Sequence, residues 1–283
     1  MSKFNKHIVV VGTARSGTSW LSETMAQQFR YRMLFEPEHD TRTRNGHLIC
    51  DQWFDENTCN AKAHKYLNRV FKNQVDCNWI AQNSNRKFKM HLWPFIPKKY
   101  IIKFVRANLS AHYINDVFNI PVIHIIRNPY DVIRSQRQSD FPWLYDLSIF
   151  SKQAQLVQLI QDKFSYNITG YKTLSDTEKL CLRWCIENVI PLEVFGVYKK
   201  KSAVVKYEDL IADVQEFYNL CEAFSIEPIA NLKSSYRKPS SKTHPESDLL
   251  KHEKHVKPKI TTQDRADINK LLDIFETQLY KRE

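Results

Sequence analysis

Val9-Val10-Val11-Gly12-Thr13-Ala14-Arg15-Ser16-Gly17-Thr18-Ser19-Trp20-Leu21 is the stretch on which the reading of the fold turns. A β-branched run over residues 7–11 enters a glycine turn, and Trp20, Leu21, Met25 and Phe29 follow at helical spacing. The order is therefore strand, turn, helix. Gly12 and Gly17 stand five apart, the spacing at which successive backbone N–H groups and a helix N-terminus cradle an anion. A nucleoside triphosphatase carries Lys directly after the second glycine, where this chain has Thr18. The cation comes earlier, from Arg15 inside the loop.

Working outward, residues 100–105 and 122–126 are apolar for long enough to be buried strands, separated by a helix-length segment at 108–118. Residues 32–35 and 203–206 are weaker strand candidates, while 147–164, 176–198, 208–224 and 263–280 read as helical. This alternation predicts an α/β fold: one P-loop-type domain spanning 1–283, with a central parallel sheet of about five strands flanked by helices. Residues 41–99 show little periodicity and predict an irregular insertion with short helices that shapes an acceptor cleft. Residues 233–259 hold eight Lys or Arg against three acids and three prolines, which predicts a basic loop.

The chain has 283 residues, 42% of them hydrophobic and 12% aromatic, which excludes a disordered or fibrous protein. No run of 18 apolar residues occurs, and residues 1–7 are too short and polar for a signal peptide, so a soluble, cytoplasmic protein with no membrane span is expected. The six cysteines form no CxxC pair and stand at no zinc-ligand spacing, so reduced thiols and no metal site are expected. Cys181 and Cys185 share a helix face and read as core. His252 and His255, in the basic stretch, read as solvated. The 42 Lys plus Arg exceed the 31 Asp plus Glu by 11, which favours an anionic partner without choosing among nucleic acid, membrane surface and phosphate- or sulfate-bearing ligands.

Arg15-Ser16-Gly17-Thr18-Ser19-Trp20 resembles the 5′-phosphosulfate-binding motif of the sulfotransferases that use 3′-phosphoadenosine 5′-phosphosulfate (PAPS), and matches it at all six positions. Ile125-Ile126-Arg127-Asn128-Pro129-Tyr130-Asp131, continuing to Ser135, is similar to that family's 3′-phosphate motif, a strand-end Arg followed eight residues later by Ser. Asn128 is placed to cap a helix with Pro129 in its first position, which leaves Arg127 at the strand end. Ile101-Ile102-Lys103-Phe104 resembles the strand bearing the Lys that contacts the transferring sulfuryl group. Val205-Lys206-Tyr207-Glu208-Asp209-Leu210 looks like a strand and helix start common in the wider family, with a structural role. Tyr236-Arg237-Lys238-Pro239-Ser240 is similar to the late basic loop over the nucleotide. The resemblance implies PAPS as co-substrate without a metal, bound by Arg15, Ser16, Gly17, Thr18, Ser19, Trp20, Arg127, Ser135, Arg237 and Lys238, with Trp20 a candidate to stack on adenine.

Transfer to a hydroxyl acceptor needs a general base near the sulfur. In the family's small-molecule branch this is a His two residues after the strand Lys, where this chain has Val105. Phe35-Glu36-Pro37 instead resembles the Phe-Glu-Pro signature of carbohydrate sulfotransferases, with Glu36 21 residues after Arg15. The implied catalytic residues are Glu36, Arg15 and Lys103, with a glycan the expected acceptor. Glu38, His39 and His91, the last within Lys89-Met90-His91-Leu92, stay open as alternatives for the base. A small-molecule sulfotransferase with a phenol or alcohol acceptor remains open, as does a P-loop kinase. The kinase lacks its Lys at position 18 and its strand-end Asp, since the strand ends carry Arg106 and Arg127. A nucleic-acid-binding role rests only on Lys and aromatics interleaved over 62–104.

Overall fold

The computed structural model describes residues 4–28, 31–55, 57–75, 77–82, 99–229, 232, 236, 238–241 and 259–283. The opening apolar run is β1 (Ile8–Val11), wholly buried, and the glycine turn delivers the chain into α1 (Thr18–Ala26). There follow β2 (Tyr31–Phe35), α2 (Ala61–Phe71), α3 (Asn78–Ala81), β3 (Lys99–Phe104), α4 (Ala111–Val117), β4 (Val122–Ile126) and α5 (Pro129–Ser139). The remainder comprises α6 (Ser148–Ser151), α7 (Ala154–Phe164), α8 (Asp176–Val189), β5 (Ser202–Lys206), α9 (Tyr207–Ala212), α10 (Val214–Ala223) and α11 (Thr262–Ile274).

The five strands form one parallel sheet in the order β2-β3-β1-β4-β5. Each expected strand is present, and β1 lies at the centre. Side chains alternate across it: Val9 and Val11 pack with Tyr66 and Leu67 of α2 and Ile114 of α4, while Ile8 and Val10 pack with Leu21 and Met25 of α1 and Phe217 of α10. Both faces are thus covered, as continuous apolar strands of a parallel sheet require. A third cluster joins α5, α7, α8 and α11 through Ile133, Ile160, Trp184 and Leu271.

Parallel register sends every strand's C-terminal end to one edge. Val11 stands beside Phe104 and His124, Phe35 beside Lys103, and Ile126 beside Lys206. The segments that begin at Gly12, Glu36, Val105, Arg127 and Tyr207 therefore emerge together. From central β1 the chain builds β2 and β3 on one side and β4 and β5 on the other, so the crevice at that edge is the switch point where open α/β sheets bind ligands.

The structure corrects several boundaries. Within 41–99 the described residues include the 11-residue α2, capped by the Asn60 side chain, which accepts from the Ala63 N–H. Its buried face, Ala63, Tyr66, Leu67, Val70 and Phe71, has helical periodicity masked by the charged residues between. The helix expected over 176–198 ends at Val189, where a wide turn over Ile190–Val194 accommodates Pro191, which has no N–H to donate. The 147–164 helix is split into α6 and α7. The 208–224 helix breaks at Asp213, whose extended backbone lets its carboxylate cap α10 by accepting from the Gln215 N–H. Helix 263–280 stops at Ile274. Most of the basic loop expected over 233–259 lies outside the described residues, as do His91, Arg237, His252 and His255. Cys181 and Cys185 are buried, as expected of core residues. Among the described residues, no helix is long and apolar enough to cross a membrane.

Candidate active site

Two glycines shape the loop between β1 and α1 because neither position has room for a side chain. A Cβ on Gly12 would lie 2.4 Å from the Ile125 carbonyl oxygen of β4. Gly17 has φ +96°, and its Cβ would meet the Tyr207 ring at 2.4 Å. Between them Arg15 adopts a left-handed φ of 73°, a strained conformation for a side-chain-bearing residue. The strain is held by Ser16, whose N–H and hydroxyl both donate to the Thr13 carbonyl at 3.1 and 2.6 Å. No side chain caps the N-terminus of α1, so the first-turn N–H groups are presented at the mouth of the loop.

The second motif meets the first directly. Asn128 caps α5 as expected, accepting from Tyr130 and Asp131 N–H groups, with Pro129 in the first turn. Six residues past Pro129 along α5, Ser135 accepts a hydrogen bond from Arg15 Nε at 3.0 Å. Arg127 Nη1 donates to the Arg15 carbonyl at 3.1 Å, and its guanidinium lies 4.6 Å from the centre of the Tyr207 ring. Arg127 Nε is buried with no hydrogen-bond partner among the described residues. Burial, and then the like charge of Arg127, lower the pKa of Arg15 and so oppose its cationic form. Two guanidiniums held together with a spare donor make a site that an anion would complete.

Trp20 and the chain near residue 240 form the outer wall. The Trp20 indole N–H donates to the Tyr236 carbonyl at 3.0 Å, and its ring meets Tyr207 and Tyr236 edge-on. Ser241 donates from its N–H and hydroxyl to the Glu23 carboxylate at 2.9 and 2.6 Å. Exposed Lys238 lies between these two anchors in the chain. Thr18 is buried, and Ser19 is half-buried at the start of the helix.

On the other side of β1, Lys103 is buried in β3 on the sheet face shared with Phe35, with its ammonium 4.2 Å from the centre of the Phe35 ring. Its Nζ donates to Glu36 Oε1. Glu36 follows β2 with a left-handed φ of 43°, and its N–H extends the β2–β3 ladder by donating to the Lys103 carbonyl at 3.0 Å. The sequence-expected base and sulfuryl-contacting Lys are therefore one ion pair. Val105, at the position of the small-molecule branch's His, is buried. Glu38 is 1% exposed, and its Oε1 accepts from the Val105 and Arg106 N–H groups at 2.6 and 3.1 Å. Burial, and next the charge of Glu36, raise its carboxyl to about 7. His39, half-buried against the Trp79 ring, is lowered by burial.

Sequence reasoning missed a buried polar chain behind these residues. The Thr13 hydroxyl donates to Glu187 Oε2 at 2.5 Å, and Arg183 Nη1 donates to Glu187 Oε1 at 2.9 Å. The same Nη1 lies 3.4 Å from Asp51 Oδ2, which also accepts from Arg106 Nε and Nη2 at 2.8 and 2.6 Å. Arg106 Nη1 donates to Asp40 at 3.0 Å. Arg183 and Glu187 stand four apart on α8, where Leu180–Ile186 is apolar apart from Arg183, a spacing that marks an intrahelical pair, but nothing in the sequence places Asp51 against them. Tyr207, read from sequence as structural, also forms the floor of the loop beneath Gly17 and Arg127.

No protein-family model and no curated protein sequence matches this chain. Among solved structures it is similar to the mouse sulfotransferase SULT7A1 complexed with PAP, at 13% identity and TM-score 0.42 over 94% of this chain and 82% of that one. The Mycobacterium avium sulfotransferase STF9 gives 12% identity and TM-score 0.45 over 99% and 79%. Retinol dehydratase in a complex with retinol and PAP gives 13% identity and TM-score 0.41 over 98% and 83%. All three are distant.

Proposed function

We propose that this chain is a PAPS-dependent sulfotransferase with a carbohydrate hydroxyl as acceptor, working in the cytoplasm. One observation carries the reading: Arg15 of the glycine loop, Ser135 of α5 and Arg127, just past β4, converge in a single hydrogen-bonded cluster. A nucleotide with phosphates on both the 5′ and 3′ oxygens uses two anion sites close together, and the cluster has the donors for both. Arg127 Nε, buried with no partner among the described residues, fits such a ligand.

The donor supplies an activated sulfuryl group on its 5′-phosphate. Arg15 and the first-turn N–H groups at Gly17, Thr18 and Ser19 hold that phosphate and take up the charge that accumulates on it as the S–O bond breaks. Arg127 and Ser135 hold the 3′-phosphate, and Lys238 and Arg237 close over the nucleotide. Glu36 takes the hydroxyl proton on its carboxylate as the acceptor oxygen bonds to sulfur. Lys103 orients that carboxylate and contacts the sulfuryl oxygens. The reaction is thus an in-line displacement driven by positioning and charge. The glycan acceptor is supported by the likeness of Phe35-Glu36-Pro37 to the carbohydrate signature and by the absence of His at Val105. The six cysteines form no CxxC pair and are read as reduced, as a cytoplasmic setting implies.

Calorimetric titration with 3′,5′-adenosine bisphosphate (PAP) and with ATP tests the donor site: tight PAP binding with far weaker ATP binding is expected, and equal affinity would refute it. Transfer of labelled sulfate from PAPS to a panel of glycans and phenols tests the acceptor class.

A further inference from the structure

The buried chain Thr13–Glu187–Arg183–Asp51–Arg106 runs without a break from the donor loop to the turn that carries Glu36. Arg183 is its centre. It is 1% exposed, and beyond its bonds to Glu187 and Asp51 its Nε and Nη2 donate to the Leu144, Trp143 and Asp146 carbonyls. Its guanidinium is therefore fixed in orientation. At one end, Thr13 is the residue whose carbonyl holds the strained loop at Ser16. At the other, Asp51 both accepts from Arg106 and donates its N–H to the Arg106 carbonyl at 2.6 Å. Arg106 then holds Asp40, and its N–H meets Glu38, within the turn closed by the His39 N–H donating to the Glu36 carbonyl. Well-packed apolar side chains would fill this volume at no loss of stability. What ions and forked hydrogen bonds add is a defined geometry.

We propose that Arg183 and Asp51 are positioning residues for sulfuryl transfer, which mechanically couple the donor loop at Thr13 to the Glu36 turn. The proposal rests on the donor reading for the meaning of the coupling, though not for its existence. Ligand seated in the loop fixes Thr13, and through Glu187, Arg183 and Asp51 that constraint reaches Arg106 and the turn. The base is then held in place when the donor is bound.

Amide hydrogen exchange with PAP as the probe tests this. The Asp51, Val105 and Arg106 amides all donate within the chain and report its far end. PAP should slow their exchange by about threefold or more, as should be seen for a coupled local opening. Thr13→Val and Asp51→Asn should abolish that remote protection while the loop amide of Ser16 stays protected. By linkage, PAP affinity should fall by no more than the same factor. Protection that persists in both variants, or is absent in the wild type with PAP bound, overturns the proposal. A second arm needs no ligand: Thr13→Val alone should speed exchange at Asp51, Val105 and Arg106 but leave Ile125 of β4 unchanged. Uniform acceleration, or none, would show a merely structural role. If one variant fails to fold, the other decides. If PAP does not bind the wild type, the functional reading fails, while the ligand-free arm still settles the coupling.

Discussion

Arg15 donates its Nε–H to the Ser135 hydroxyl across 3.0 Å, joining residues 120 apart in the chain. Each belongs to a different motif, and neither motif alone distinguishes a nucleotide site from an ordinary turn. Their contact makes one cluster of the two, because α5 starts directly after β4 and so runs back past the loop that follows β1. Arg127, at the end of β4, completes it through the Arg15 carbonyl.

Replacing Arg127 with Ala should weaken PAP binding about tenfold or more, since charge-assisted hydrogen bonds contribute roughly 1.5 to 3 kcal/mol. ATP, with no 3′-phosphate, should lose much less. Titration calorimetry of both ligands on wild type and variant checks this, and an equal loss for the two would place Arg127 outside any 3′-phosphate site.

Gly17→Ala should both destabilise the chain and abolish PAP binding. The added methyl faces the Tyr207 ring at 2.4 Å with φ at +96°, so the loop and the start of α9 must separate. A cost of roughly 1 to 3 kcal/mol is expected for such backbone strain. Thermal denaturation measures it, and an unchanged Tm with intact binding would contradict the tight packing of loop on ring.

The inner strands of the sheet were legible because their runs are mainly apolar and long enough to be buried on both faces, whereas β2 with Arg32 and β5 with Ser202 and Lys206 read more weakly. Residues 8–11, 101–104 and 122–126 have no other reading once both faces are covered. The glycine loop was legible because glycines at Gly12 and Gly17 answer a backbone requirement visible in one dimension. The chain through Asp51 and Arg183 was not, because those residues are 132 apart and each looks like an ordinary surface charge in its own segment. Glu36 stood out by its place after β2. Its ion pair with Lys103 follows from the register of β2 on β3, which sequence order alone does not state.

Turnover should persist in excess chelator. On the proposed reading, Arg15 in the loop and Lys103 beside Glu36 supply the positive charge that phosphoryl-transfer enzymes draw from magnesium. Loss of transfer on chelation, restored by magnesium, would refute the assignment of that charge to side chains.

Glu38→Gln should change the pH dependence of stability in a defined direction. Burial, with the nearby Glu36 charge, raises the Glu38 carboxyl from its ordinary 4.5 to about 7, so the folded chain binds this proton more tightly than the unfolded one. That contribution is fully present below about 4.5 and is lost as pH rises through about 7. Gln keeps an acceptor oxygen for the Val105 and Arg106 N–H groups and does not titrate. The Tm of the variant minus that of wild type should therefore grow between pH 4.5 and 8. Glu187 is raised the same way, and His7 and His124 are lowered by burial to about 4 and about 3, with the opposite sign. All three remain in both proteins, so the difference isolates Glu38. A flat difference would mean that Glu38 is ionised across the range.

Glu36→Gln should reduce turnover by roughly 10² to 10⁴ and leave PAP affinity nearly unchanged. Gln preserves the length of the side chain and an oxygen that still accepts from Lys103 Nζ, but it cannot take the proton from the acceptor hydroxyl. A general base acts only as the hydroxyl oxygen attacks sulfur, so its loss falls on the chemical step and spares the donor loop. Glu38→Gln is the matched control. Its Oε1 is committed to two backbone N–H groups and its side chain is 1% exposed, so it touches no acceptor, and most activity should remain. His91→Ala is the second control, because it tests the one Lys-x-His-Leu of the chain that imitates the small-molecule branch. Steady-state rates and calorimetry on the three variants separate the alternatives. Should His91→Ala abolish transfer while Glu36→Gln does not, the base is not at the end of β2, and a phenol or alcohol replaces the glycan as acceptor.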